Sequence, residues 1–222
     1  MKTSGKKTLI TGTILIFVFA IWTMLIQILD VQAVGINYTN LGFATFNTWF
    51  HSLTGVNMTL YTITDWLGLV PLFVGMCFAV LGLVQLIKRK NLLKVDFDII
   101  ILGVYYVIVV LFYLIFEMIP INYRPILING FAEVSYPSST TLLVLGVMPT
   151  LVFQANRRIN SDKIKKIIRV ITISFSVFMV VGRLVSGVHW ITDIVGSILL
   201  SMGLFYVYKG VALWNSMKSY KN

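Results

Sequence analysis

Residues 97–118 read FDIIILGVYYVIVVLFYLIFEM, and Asp98 and Glu117, one near each end, are their only charged side chains. About 20 apolar residues wound as a helix span the hydrocarbon core of a bilayer. A soluble helix of this length would carry a polar stripe, and here there is none. Five further runs read in the same way, at residues 8–29, 67–87, 138–155, 167–185 and 189–208. Two of them contain a proline, Pro71 and Pro149, expected as kinks whose freed carbonyls neighbouring groups re-satisfy. The whole chain agrees with the local reading. Its 222 residues are 58% hydrophobic and only 12% charged, with a mean hydropathy of +0.88. A soluble domain of this size has too little interior for so much apolar side chain. The expected fold class is all-α: a single polytopic membrane domain over residues 1–222, with six transmembrane helices. The first run follows Lys2, Lys6 and Lys7 and precedes Val31-Gln32-Ala33, as a secretory signal would. It is longer than the 7–15 residues of a signal core, and it reads as a retained helix.

The charges orient this bundle. Sixteen of the eighteen Lys and Arg residues fall on one side of a six-helix arrangement. They are Lys2, Lys6 and Lys7; Lys88, Arg89, Lys90 and Lys94; Arg157, Arg158, Lys163, Lys165, Lys166 and Arg169; and Lys209, Lys218 and Lys221. The positive-inside bias makes that side the cytoplasm and places both termini there. The net charge of +10 therefore sits in short blocks between apolar runs, which argues against nucleic acid as a partner. No protein partner is implied. Cys77, the one cysteine, lies in an apolar run and reads as packed or lipid-facing. On the opposite side lie residues 30–66, 119–137 and a tight turn near 185–188. The first of these carries Asp30, Asp65, Trp49, Phe50 and Trp66 but no Lys or Arg, and Phe43 to Leu53 reads as a short interfacial helix.

Two basic residues break the pattern, Arg124 and Arg183, both near the outer end of a helix. An arginine at membrane depth costs about 2.5–3.5 kcal/mol even on lenient insertion scales, so it is normally paired or functional. Taken singly, each reads equally well as a functional residue or as a structural one that snorkels to the headgroups or pairs with Glu117 or Glu133. The context of Arg183 changes that balance. It opens the run Arg183-Leu-Val-Ser-Gly-Val-His189-Trp-Ile-Thr-Asp193. His189 and Asp193 are four apart, which puts them on one helical face, one turn from each other. An aspartate behind a histidine fixes its tautomer and stabilises the imidazolium, preparing it as nucleophile or base. Ser186-Gly187 gives the chain a place to turn Arg183 back toward His189.

These segments resemble the type 2 phosphatidic acid phosphatase (PAP2) superfamily, whose motifs read K-x6-R-P, P-S-G-H and S-R-x5-H-x3-D. The third appears as Gly182-Arg183, His189 and Asp193, matching at Arg, His and Asp. The first appears as Glu117 and Arg124-Pro125, and the second as Pro137-Ser138-Ser139-Thr140. The resemblance covers roughly residues 67–208. It implies that His189 attacks phosphorus to form a phosphohistidine and that Asp193 orients it. It further implies that Arg124, Arg183 and the backbone around Ser138 and Ser139 hold phosphate oxygens, with no metal or other cofactor. The expected substrate is a lipid phosphate or a polyprenyl diphosphate, handled at the extracytoplasmic face.

Two departures bear on turnover. The motif's second histidine, the general acid, is replaced by Thr140, and losing a positioned acid typically costs about 10²–10⁴ in rate. Three readings stay open. The leaving group needs little protonation, as with a diphosphate; or Glu133, Glu117 or more weakly Tyr136 supplies the proton; or the chain is a slow or non-catalytic lipid-phosphate binder. His51, the other histidine, has nothing in the sequence to position it. Glu117 in place of lysine puts an anion where a phosphate-binding cation is expected, unless it pairs with an arginine or is protonated.

Overall fold

The computed structural model describes residues 2–215, so Lys218 and Lys221 lie outside the described residues. Eight α-helices follow one another: α1 (Lys2–Ile28), α2 (Ala44–Thr54), α3 (Met58–Leu67), α4 (Leu69–Arg89), α5 (Phe97–Met118), α6 (Ser139–Arg158), α7 (Asp162–Val185) and α8 (Ile191–Asn215). Six helical stretches are long and apolar enough to cross a membrane, with α3 and α4 forming one of them. The chain is an all-α, multi-pass membrane protein.

The helix ends depart from the sequence reading where polar chemistry, not apolar length, sets them. α7 begins at Asp162 rather than 167, because the Ser161 hydroxyl accepts the Ile164 N–H at 3.5 Å and caps it. Its first turns carry Lys163, Lys165 and Lys166, which need helix but not lipid. The second crossing breaks at Gly68, so Pro71 falls in the first turn of α4 instead of kinking a helix interior. A first-turn proline lacks only an N–H that has no helical acceptor anyway. α8 starts at Ile191, which leaves His189 just outside it.

α6 and α8 are the interior helices, and they carry many of the buried polar side chains, among them Thr140, Thr141, Thr150, Gln154, Ser197 and Ser201. Lipid-facing helices must be apolar, whereas an interior helix can hold hydroxyls that find partners. Around Pro149, Tyr105 donates to the Gly146 carbonyl at 2.7 Å, and the Tyr106 and Thr150 hydroxyls lie 2.7 Å apart. At the basic end, Asp98 pairs with Arg157 at 3.1 Å and Arg158 at 3.0 Å, while Asp96 pairs with Arg89 and Arg158. These bridges tie α4, α5 and α6 together where the loops are short.

α1 lies along α8 with almost no side chain between the two backbones. A Cβ at Gly12 would stand 2.6 Å from the Val207 nitrogen, and one at Gly210 would stand 2.7 Å from the Leu9 nitrogen. Small residues allow such an approach, which in lipid replaces the missing hydrophobic drive with close packing. Gly12→Ala is expected to destabilise the protein by about 1–3 kcal/mol through overpacking. The lowered thermal midpoint in detergent measures this, with Gly103→Ala, where nothing lies within 4 Å, as the unaffected control.

Candidate active site

At the end of the bundle opposite the basic clasp, five pieces of chain converge: α3, the segment 119–138, the start of α6, the end of α7 and the start of α8. Segment 119–138 doubles back on itself. The Arg124 N–H donates to the Glu133 carbonyl at 2.9 Å, and the Ser135 N–H donates to the Asn122 carbonyl at 2.9 Å. This pairing sets Arg124 beside Glu133 and Asn122 beside Ser135.

The 183–193 turn is held from outside. Gly187 adopts φ +67°, and a Cβ there would stand 1.9 Å from the Gly55 carbonyl oxygen, so neither its conformation nor its surroundings admit a side chain. The Asn57 N–H donates to the Ser186 carbonyl at 3.0 Å. The His51 Nε2 donates to the Gly187 carbonyl at 3.0 Å, and its ring lies 5.5 Å from that of Trp190. His51 thus braces the turn. Trp190 in turn donates from its indole to the Tyr123 carbonyl at 2.8 Å, joining the turn to segment 119–138.

His189 is 3% exposed and makes two contacts that fix its tautomer. Nδ1 lies 3.1 Å from the Ser135 carbonyl, which only accepts, so Nδ1 carries the hydrogen. Nε2 lies 3.4 Å from Arg183 Nη2, which only donates, so Nε2 presents its lone pair toward the arginines. Burial, followed by the charges of Arg124 and Arg183, holds the imidazole pKa well below its ordinary value. The resting ring is neutral.

Asp193 corrects an expectation. Its Oδ2 is 3.8 Å from His189 Nδ1, too long for a hydrogen bond. That oxygen accepts the Trp190 N–H at 2.9 Å, while Oδ1 accepts from Asn122 at 3.2 Å. The carboxylate therefore closes the first turn of α8 as a capping group and acts on His189 as a nearby charge. Ser135, not Asp193, sets the tautomer.

The two arginines share one aromatic ring. The Tyr61 ring centroid lies 4.9 Å from Arg183 Cζ and 5.6 Å from Arg124 Cζ. Each guanidinium also has a carboxylate at its rim: Glu133 Oε2 is 3.1 Å from Arg124 Nη2, and Asp65 Oδ1 is 3.5 Å from Arg183 Nη1. Arg124 Nε and Nη1 and Arg183 Nε are buried without a hydrogen-bond partner among the described residues. Tyr61 and Asp65 were not legible as site residues. Their only signal was a tyrosine and an aspartate four apart in a weakly polar loop.

The second motif sits at the N-terminus of α6. The Ser138 hydroxyl donates to Thr141 at 3.1 Å, and its carbonyl accepts from Ser197 of α8 at 3.0 Å, which locks that terminus beside the turn. Ser139, Ser135, Glu117 and His189 line one small crevice. Glu117 is exposed there, and Arg124 pairs with Glu133 instead. Thr140 is buried, with its methyl 3.4 Å from where a Cβ on Gly68 would lie. The Tyr136 hydroxyl is 2.6 Å from that of Thr23 in α1 and is committed there. Among the described residues no cluster of three or more His, Cys, Asp or Glu gathers as a metal site would.

Chemically, the site offers a lone pair on a neutral imidazole, two cations with inward-facing donors, and a helix N-terminus. That combination suits a tetrahedral oxyanion. None of the curated proteins matches the chain significantly in sequence. A crystal structure described as the first transmembrane PAP2 type phosphatidylglycerolphosphate phosphatase, from Bacillus subtilis, is similar in fold, with a TM-score of 0.65 and 18% identity. That similarity covers 90% of this chain and 95% of the other. The PAP2 superfamily profile matches residues 104–216, a stretch that includes Arg124, Ser138, Arg183, His189 and Asp193. By that match over half of its length, the chain belongs to the PAP2 superfamily.

Proposed function

We propose that the chain hydrolyses a lipid phosphate or polyprenyl diphosphate at the extracytoplasmic face, through a phosphohistidine on His189. The observation that carries this reading is the set of buried, unpartnered guanidinium nitrogens on Arg124 and Arg183, next to the lone pair of His189 Nε2. Buried donors left unmade cost free energy, and a phosphate oxygen is the acceptor whose geometry fits a guanidinium fork. Arg124, Arg183 and the free N–H groups of α6 hold the phosphoryl oxygens, with Ser138 and Ser139 at that helix end. Nε2 attacks phosphorus and the P–O bond to the lipid breaks. Ser135 keeps the proton on Nδ1 while the charge of Asp193 stabilises the cationic ring that results. Water then attacks the phosphohistidine and releases phosphate.

Thr140 has no proton to give the leaving oxygen at neutral pH. This tilts the substrate toward a diphosphate, whose departing phosphate needs little protonation. It also supports a second reading, in which the site binds lipid phosphate without turnover. The outer-face placement follows from the charge bias, since the site lies opposite the end that carries Arg89, Arg157 and Arg158.

Purified protein is expected to release phosphate from phosphatidic acid or from a polyprenyl diphosphate, and His189→Ala is expected to lower this roughly 10³-fold or more. Equal release by the mutant removes the nucleophile assignment. Trapping with labelled substrate separates the two readings: orthovanadate binding without any phosphohistidine would establish the non-catalytic one. Arg183→Ala is expected to cost about 10²–10³ in kcat, as loss of a preorganised oxyanion donor does. For sidedness, single cysteines at Ser52 and Lys90 in a Cys77→Ala background are expected to react with an impermeant reagent from outside and inside respectively. The reverse labelling would place the site in the cytoplasm.

A further inference from the structure

Two departures from the family motifs, Gly182 and Thr140, meet the same piece of chain. A Cβ at Gly182 would stand 2.7 Å from the Thr64 methyl, so the serine expected at that position has no room beside α3. The Thr140 methyl faces Gly68, the residue joining α3 to α4, and would lie 3.4 Å from a Cβ placed there. Between Thr64 and Gly68, α3 carries Asp65, whose carboxylate reaches Arg183 at 3.5 Å while its side chain stays 56% exposed. α3 lies outside the matched residues 104–216, so the family motifs say nothing about it.

We propose that Asp65 is the acid–base group of this site, acting from α3 in place of the histidine that Thr140 replaces; this rests on the phosphotransfer reading above. The groups around it are Arg183 from α7, Tyr61 one turn back on α3, and Arg124 with its partner Glu133 from segment 119–138. A phosphate monoester holds its last proton up to about pH 6; it brings that proton into the site and passes it to the Asp65 carboxylate as it settles on Arg183. In the first step the bond from Nε2 to phosphorus forms, the phosphorus–oxygen bond to the lipid breaks, and protonated Asp65 delivers its proton to the departing alkoxide. In the second step water attacks phosphorus, the Nε2–phosphorus bond breaks, and the Asp65 carboxylate takes the proton from water. Phosphate leaves with that proton and the site is restored.

The test compares two leaving groups in Asp65→Asn, Asp65→Glu and the wild-type chain. Phosphatidic acid needs a proton on its departing alkoxide, whereas p-nitrophenyl phosphate does not. Asp65→Asn is expected to slow phosphoryl transfer from phosphatidic acid by about 10²–10⁴, and the single-turnover burst of p-nitrophenolate by less than about tenfold. Its phosphohistidine is expected to accumulate, and Asp65→Glu to recover part of the rate. Equal losses on both substrates, or no loss, in a variant that still binds orthovanadate at least as tightly would overturn the assignment and leave His189 in place. A wild-type chain that traps no phosphohistidine would instead overturn the phosphotransfer reading, and the role of Asp65 with it.

Discussion

Two guanidinium groups buried at one end of a membrane bundle impose the constraint that the rest of the site answers. Arg183 is 1% exposed and Arg124 8%. Burying a cation costs several kcal/mol unless charge and hydrogen bonds are returned to it. Here the return is partial and directional. Each arginine has one carboxylate at its rim, Glu133 or Asp65, and both lie against the Tyr61 ring, which gives a cation–π contact without using a donor. The donors left over are Nε and Nη1 of Arg124 and Nε of Arg183. A protein that needed these arginines only for structure would be more stable with an apolar core there. Their retention at this cost is what an anion site looks like before its anion arrives.

Meeting that constraint needs chain from far apart in sequence. Arg124 is carried by a segment that folds back through the Arg124–Glu133 and Ser135–Asn122 backbone pairs. Arg183 ends α7 and is turned onto His189 by a bend that only Gly187 accommodates, because the Gly55 carbonyl occupies the place of its Cβ. The same bend is gripped by Asn57 and His51. A histidine that looked idle in sequence thus sets the position of another. Behind these contacts, the glycine-to-backbone approach of α1 and α8 and the Asp96/Asp98 clasp keep the helix ends in register, so the site is built on rigid elements.

The departures from the family motifs follow one pattern when seen in space. Gly182 leaves room for Thr64 of α3, Thr140 faces the α3–α4 junction at Gly68, and α3 returns Tyr61 and Asp65 to the arginines. Glu117 in place of lysine follows a different logic. It lies in the His189 crevice as an exposed carboxylate while Glu133 takes Arg124, so the site holds more negative charge near its cations than a lysine-bearing version would.

The sequence by itself determined the membrane character and the six crossings, and it singled out the arginines and the histidine that the fold brings together. These depend on run length, charge sidedness and short fixed spacings, all of which are local. It also pointed to a helix near Phe43–Leu53, where α2 runs over Ala44–Thr54. Only the tertiary structure decided what surrounds those side chains. The tautomer of His189 is set by a carbonyl 54 residues away, and Asp193 turns out to cap a helix rather than to hold the ring. Tyr61 and Asp65 reach the site across more than a hundred residues of sequence. A spacing rule sees one turn of helix and no further, whereas a buried charge is answered by whatever group the fold brings within a few ångströms.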